Sequence, residues 1–276
     1  MKIFITGGAG TCGTILQKLP YEKIFFDKRP HPDTLKNESY IQGELNNISL
    51  ITKHIKGCDT LIHLAASDYY PDFKTFPQYS LFQYHQNNID NLSVLFDIAI
   101  KQGVNKIIFA STHRVMGLYE SDQAPEIYSK NNKILLDHLT PTRPDSFYAL
   151  TKVFGENLGR LLVDQGKCSF QVIRICSVRS EEENHPYAYA ENGVSQKLWE
   201  RDSSKYKLQV NRLKGLWQSR DDFLNMSQLL LSKELTGYDI FYGLSNNSRK
   251  WFDLSHAEEI LGYFSTDNAE KFTKCP

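Results

Sequence analysis

Tyr148 and Lys152 lie four positions apart in SFYALTKVFGENL, residues 146–158, a stretch that otherwise reads as helix. At that spacing the two side chains share one helix face. A phenol with its ordinary pKa of about 10 is a poor base at neutral pH, whereas an ammonium held beside it favours the charged form and lets it move a proton. Spacing alone does not separate that chemistry from a helical surface contact. Tyr70 and Lys74 repeat it, and Pro71 between them argues against a continuous helix there. The surroundings of the pair must decide.

A second chemistry-bearing stretch is TGGAGTCG, Thr6 to Gly13, where Gly7, Gly10 and Gly13 form G-x-x-G-x-x-G after an apolar run and before a helical pattern. Glycine permits positive φ in the turn and removes the Cβ that would keep backbone amides from a pyrophosphate. The helix that follows presents unpaired N–H groups to the same anion. Asp27 ends the next apolar run, KIFFD, 20 residues past Gly7. A carboxylate there accepts from the adenosine ribose hydroxyls of a dinucleotide. It favours NAD, because it would repel a ribose phosphate. Lys28 and Arg29 follow at once and keep NADP as the less favoured choice.

The elements that must carry these residues are legible as a rhythm. Strand candidates are 2–6, 23–27, 39–43, 59–66, 106–111 and 170–176, with helical readings near 13–19, 48–56, 84–102 and 147–165 between them. Ile89, Leu92, Leu95, Phe96 and Ala99 recur at helical intervals. Near-continuous apolar strands alternating with helices predict an α/β fold, a doubly wound parallel (Rossmann) sheet covered on both faces. After residue 176 the rhythm breaks. Residues 179–193 are polar and read as a loop or excursion; a helix at 221–235, a strand near 238–245 and a short amphipathic helix at 253–263 follow. The expected organisation is a dinucleotide-binding core, 1–176, with a small substrate-binding lobe, 177–276, packed on it as one compact unit.

Composition narrows the classes. The 276 residues suffice for a sizeable core, and 41% hydrophobic with 23% charged is ordinary for a soluble globular protein. A formal net charge of zero gives no hint of nucleic acid or membrane. The five cysteines, Cys12, Cys58, Cys168, Cys176 and Cys275, are dispersed and lack metal-ligand spacing. They suit free thiols in a reducing compartment, so no metal is expected. MKIFITGGAG is too short an apolar run for a secretory signal, and no stretch approaches the roughly 20 apolar residues of a membrane span. A cytoplasmic location is expected.

These residues together resemble the extended short-chain dehydrogenase/reductase family, the NAD-dependent epimerases, dehydratases and sugar dehydrogenases. TGGAGTCG is similar to its T-G-x-x-G-x-x-G loop, which implies that Gly7, Gly10, Thr11, Cys12 and Gly13 hold the cofactor. HLAA, 63–66, resembles the segment passing beneath the adenosine, implying Leu64, Ala65 and Ala66. GELNN, 43–47, stands where the family usually has Gly-Asp, implying Glu44 and Leu45 at the adenine. Asn88 matches an asparagine that supports the active site. FASTHRVMG, 109–117, resembles the strand bearing a catalytic Ser or Thr; counting back from Gly117 gives Thr112, with Ser111 adjacent and able to exchange roles. The resemblance implies that Tyr148 takes a hydroxyl proton as hydride leaves for the nicotinamide, that Thr112 orients the same oxygen, and that Lys152 also holds the nicotinamide ribose.

The second half is more closely similar to the uronate dehydrogenases, which oxidise C1 of a cyclic hexuronic acid to a lactone. VIRICSV, 172–178, implies a substrate contact from Ser177, and NRLKGLWQSRDDF, 211–223, implies that Arg212 binds the uronate carboxylate. Residues 143–161 and 251–272 are similar as well. Three departures bear on the substrate. His113 and Arg114 stand where those enzymes have Asn-His, so His113 is either a substrate-facing donor or acid/base, or a packed histidine. Asp68 replaces a substrate-contacting serine, and the excursion 179–210 is longer. Only 100 residues follow Cys176, which favours a small sugar or sugar acid over a nucleotide-linked one. The alternatives are a nucleotide-sugar epimerase or dehydratase, against which His113-Arg114 counts, and a catalytically silent cofactor-binding regulator. By family analogy a homodimer is expected, paired through the helices that include the Tyr-Lys one.

Overall fold

The computed structural model describes residues 1–33, 35, 39–67 and 85–276. Its strands are β1 Lys2–Thr6, β2 Glu22–Asp27, β3 Ser39–Gln42, β4 Thr60–His63, β5 Lys106–Thr112, β6 Ser169–Ile175 and β7 Tyr238–Gly243. They form one parallel sheet in the order β3-β2-β1-β4-β5-β6-β7. The chain builds outward from β1 to β3 and then restarts at β4 on the other side of β1. That reversal is where an open parallel sheet leaves a crevice at its carboxyl edge. Thr6 pairs with Phe26 and His63, and Thr112 with Ile175, so the strands end along the same edge.

Strand alternation divides the side chains between two cores. Ile3, Ile5, Phe25, Ile62, Ile108, Ile173 and Phe241 belong to one. Phe4, Phe26, Leu61, Ile107, Phe109, Phe170 and Val172 belong to the other. Both faces are covered, which is why the strands read as continuous apolar runs rather than alternating ones.

The helices are α1 Thr11–Ile15, α2 Ile48–Ile55, α3 Asn91–Lys101, α4 Gly117–Gln123 and α5 Phe147–Asp164, then α6 Ala188–Ser195, α7 Ser204–Leu216, α8 Arg220–Ser232 and α9 Ser255–Leu261. α5 starts at Ser146, whose hydroxyl accepts from Ala149 N, and it lies close on the sheet. A Cβ at Gly155 would come within 2.4 Å of the Phe109 ring, so the helix approach there needs glycine.

Several elements differ from the sequence reading. The helix expected at 13–19 begins earlier, as α1, and tightens into a 3-10 turn, Leu16–Lys18. α3 is preceded by a π turn, Gln86–Asp90. β4 stops at His63, leaving Leu64–Ala66 as loop. The main correction concerns 179–210, where α6 and most of α7 lie. Their apolar content is a narrow stripe, Ala190 against Tyr206 and Val210, with Trp199 packed beside it, inside an otherwise polar composition. Ser203 caps α7 by accepting from Tyr206 N. β7 then returns to pair with β6, so the last third supplies an edge strand of the sheet.

Candidate active site

A cleft of about 650 Å³ follows the carboxyl edge of the sheet from β3 to β6. Gly7, Gly10, Thr11, Cys12, Gly13, Asp27, Glu44, Leu45, Leu64, Ala65, Ala66, Thr112, Tyr148, Lys152 and Ser177, all singled out from the sequence, line it. Asn88, His113 and Arg212 do not line it, and Asp68, like Tyr70 and Lys74, lies outside the described residues.

The glycine turn is shaped by contacts that leave no room for side chains. Gly7 has φ +76°, and a Cβ there would meet Ala65 N at 2.6 Å. At Gly13 a Cβ would lie 2.4 Å from the Gly7 carbonyl oxygen. Thr11 and Cys12 open α1, where N–H groups have no intrahelical acceptor. Asp27 is buried at the end of β2 and accepts from Ala9 N at 3.0 Å. It also accepts from Arg29, at the backbone N (3.0 Å), Nε (3.2 Å) and Nη2 (2.9 Å). Burial would raise its pKa, but these hydrogen bonds outweigh it and hold the carboxyl below its ordinary range.

At the other end, α5 aims Tyr148 and Lys152 at the end of β5. Lys152 is buried, donates to the Ala110 carbonyl at 2.7 Å, and lies 5.8 Å from the Tyr148 ring centroid and 4.9 Å from that of Phe109. Thr112 Oγ1 accepts from Arg114 N at 3.3 Å, which leaves its own hydrogen to donate. Ser111 is engaged elsewhere: its hydroxyl donates to Glu156 at 2.5 Å, inside a buried network with Arg174 and Tyr242. Asn88 is buried, accepting from Ser67 N and donating to Ser67 O and Thr151 Oγ1.

His113 and Arg212 belong to a separate polar cluster. Arg212, on α7, gives Nε to Glu120 Oε1 at 2.5 Å and Nη2 to Glu120 Oε2 at 3.1 Å, and Tyr128 donates to the same carboxylate at 2.9 Å. His113 is buried, its Nδ1 3.3 Å from the Ile175 carbonyl; burial pushes its pKa down to about 4, so the ring is neutral. Residues 3–221 match the model of the NAD dependent epimerase/dehydratase family. The chain belongs to that family.

Among its relatives is an NAD-dependent glucose-6-phosphate dehydrogenase of Haloferax volcanii, 26% identical over 98% of this chain and 95% of the relative. A uronate dehydrogenase of Agrobacterium fabrum is also 26% identical, over 99% of this chain and 87% of its own. The crystal structure of uronate dehydrogenase from Agrobacterium tumefaciens superposes with a TM-score of 0.74 at 25% identity, covering 100% of this chain and 90% of the other.

The cleft fits the dinucleotide for which the family is named. Backbone closes to backbone at Gly7 and Gly13, amides open α1 between them, and a buried carboxylate ends β2. Lining residues that the sequence reading did not assign include Ser67 and Arg179. Ser67 carries no motif of its own. Arg179 opens the charged run RSEEE, where one arginine has no distinguishing signal.

Proposed function

We propose that this chain is an NAD-dependent oxidoreductase that oxidises the C1 hydroxyl of a small cyclic sugar or sugar acid to a lactone. The observation that carries the reading is the continuity of one cleft from the glycine turn to Thr112, Tyr148 and Lys152. In this reading 1–176 hold the cofactor and 177–276 complete the substrate end. The Thr11 and Cys12 amides hold pyrophosphate, and Asp27 accepts from the adenosine ribose. A bound oxidised nicotinamide supplies the hydride acceptor and a positive charge. Tyr148 takes the C1 hydroxyl proton, aided by the Lys152 ammonium, which its bond to the Ala110 carbonyl keeps beneath the ring. Thr112 donates to the same oxygen and fixes its orientation. A dinucleotide-linked dehydrogenase among full-length relatives supports the redox class. The proposal includes a homodimer paired through α5.

The test is NADH absorbance from purified protein supplied with NAD and a panel of uronic acids and neutral aldoses. Tyr148→Phe is expected to keep NAD binding and lose about a hundredfold or more in turnover. Undiminished turnover in that variant removes Tyr148 as the base. NAD binding without turnover of any sugar points instead to a silent regulator.

A further inference from the structure

A side chain that joins the glycine-turn amides in holding an anion must line the cleft, and Arg212 does not. Glu120 accepts from it at two positions, and neither residue lines the cleft. Arg114 is likewise held by both Asp145 oxygens at 3.1 Å, also off the cleft. Lys28 and Arg29 line the adenosine end, where Arg29 folds onto Asp27, and Lys152 donates to the Ala110 carbonyl.

Arg179 differs. It lines the cleft, four residues past the last residue of β6. Its Nη2 donates to Glu183 Oε2 at 2.8 Å, but that carboxylate side chain is 47% exposed against 23% for the arginine. A pair half in water is held weakly and exchanges readily. Its Nε is buried and has no acceptor among the described residues. Buried N–H donors are nearly always satisfied, and this one has capacity for a further acceptor. Nε and Nη2 form one edge of the guanidinium, the edge that takes both oxygens of a carboxylate or phosphate.

The backbone beneath this arginine is held on three sides. Ser177 N donates to Leu216 O, Gln218 N to Ser177 O, and Arg220 Nη1 to Arg179 O at 3.4 Å. Arg220 begins α8, which packs on α1, and its charge acts on the Cys12 thiol of the glycine turn. The segment is therefore tied, through Arg220 and α8, to the helix that follows the glycine turn.

Resting on the oxidoreductase reading above, we infer that Arg179 is the anion-binding residue of this cleft, exchanging Glu183 for an anionic oxygen of a bound ligand. The oxygen has two sources, the cofactor pyrophosphate or a carboxylate or phosphate on the sugar.

The experiment titrates wild type, Arg179→Gln and Glu183→Gln with NAD and with ADP-ribose by calorimetry. It then compares KM for glucuronic acid and for glucose. If pyrophosphate is the ligand, Arg179→Gln weakens NAD and ADP-ribose about tenfold and moves both sugars equally. If the sugar anion is the ligand, NAD affinity stays and KM rises about tenfold for glucuronic acid alone. Either pattern supports the inference. Glu183→Gln should shift the same quantity the opposite way, because it removes the competing negative charge; a merely structural arginine would not give that reversal. Unchanged affinity and KM in a folded Arg179→Gln overturns the inference. Should Arg179→Gln not fold, an unchanged Glu183→Gln overturns it. Wild type that binds no NAD instead defeats the oxidoreductase reading, and the inference with it.

Discussion

His113 follows Thr112 directly, yet its ring is turned into protein. Nδ1 lies against the Ile175 carbonyl, Phe252 packs edge-on at 6.4 Å, and Nε2 is buried with no acceptor or donor among the described residues. Burial is the main cause of its lowered pKa, about 4 against 6.5, with Arg212 adding to it and Glu120 opposing. The sign follows from linkage: between those values the unfolded chain holds a proton that the folded one refuses. The ring's contribution is therefore whole above pH 6.5, falls as pH drops toward 4, and levels off below. Its ceiling is about 3 kcal/mol. His63, buried beside Lys152, and the half-buried His138 and His185 are shifted the same way, so wild type should show the slope from all four. We predict that His113→Asn flattens the loss of the urea midpoint with falling pH, leaving the part due to the other three histidines. An equal slope in both proteins would mean that the ring titrates normally. His113 also shows the limit of reading residues singly. The glycines and Asp27 were legible because their chemistry depends on type and spacing. The fate of His113 depends on Glu120, Arg212 and Phe252, which local sequence does not connect to it.

The β5–α5 pairing explains why neighbouring hydroxyls differ. Successive strand residues point to opposite faces, so Ser111 reaches α5 when Thr112 reaches the cleft. The sequence left those two interchangeable; only the position of Glu156, one helical turn past Lys152, separates them. Glu156 accepts from Ser111 and, bidentately, from Arg174 Nε (3.1 Å) and Nη2 (2.8 Å), with Tyr242 on the far side of the guanidinium. One carboxylate thus ties the helix of Tyr148 and Lys152 to β5 and β6. Removing it strands a buried charge, and breaking such a pair costs about 3–5 kcal/mol. Glu156→Gln should lower the denaturant midpoint accordingly, whereas the double change Glu156→Leu with Arg174→Leu should recover much of the loss. A double variant as unstable as the sum of its parts would show that packing, not the charge pair, joins these elements. The strongly apolar, regularly spaced strands were read to within a few residues. α6 and α7 were not, because their stripe of Ala190, Tyr206 and Val210 is diluted by charged residues.

Across the whole molecule, α5 is apolar on two sides. Its inner face buries Ala149, Lys152, Gly155, Glu156 and Gly159 against the sheet. Its outer face leaves Leu150 49%, Phe154 37% and Leu161 51% exposed, with Val94 of the neighbouring α3 at 36%. A surface helix ordinarily turns charge to water on that side. Leu150, Phe154 and Leu161 fall on one stripe, with the exposed Asn157 between the last two, and the proposed pairing would bury it. Two copies related by a twofold axis would set the stripe against itself, each residue meeting its equivalent or a near neighbour. Bringing a half-exposed leucine or phenylalanine out of water contributes about 1 kcal/mol, and the row appears twice. We predict a light-scattering mass of twice 31.8 kDa for wild type and 31.8 kDa for Phe154→Glu. The glutamates would face each other without counterions, so the effect should be large. Phe154 does not line the cleft, so the monomeric variant should still bind NAD. A wild type that stays at 31.8 kDa at every concentration would leave the stripe as surface and refute the pairing.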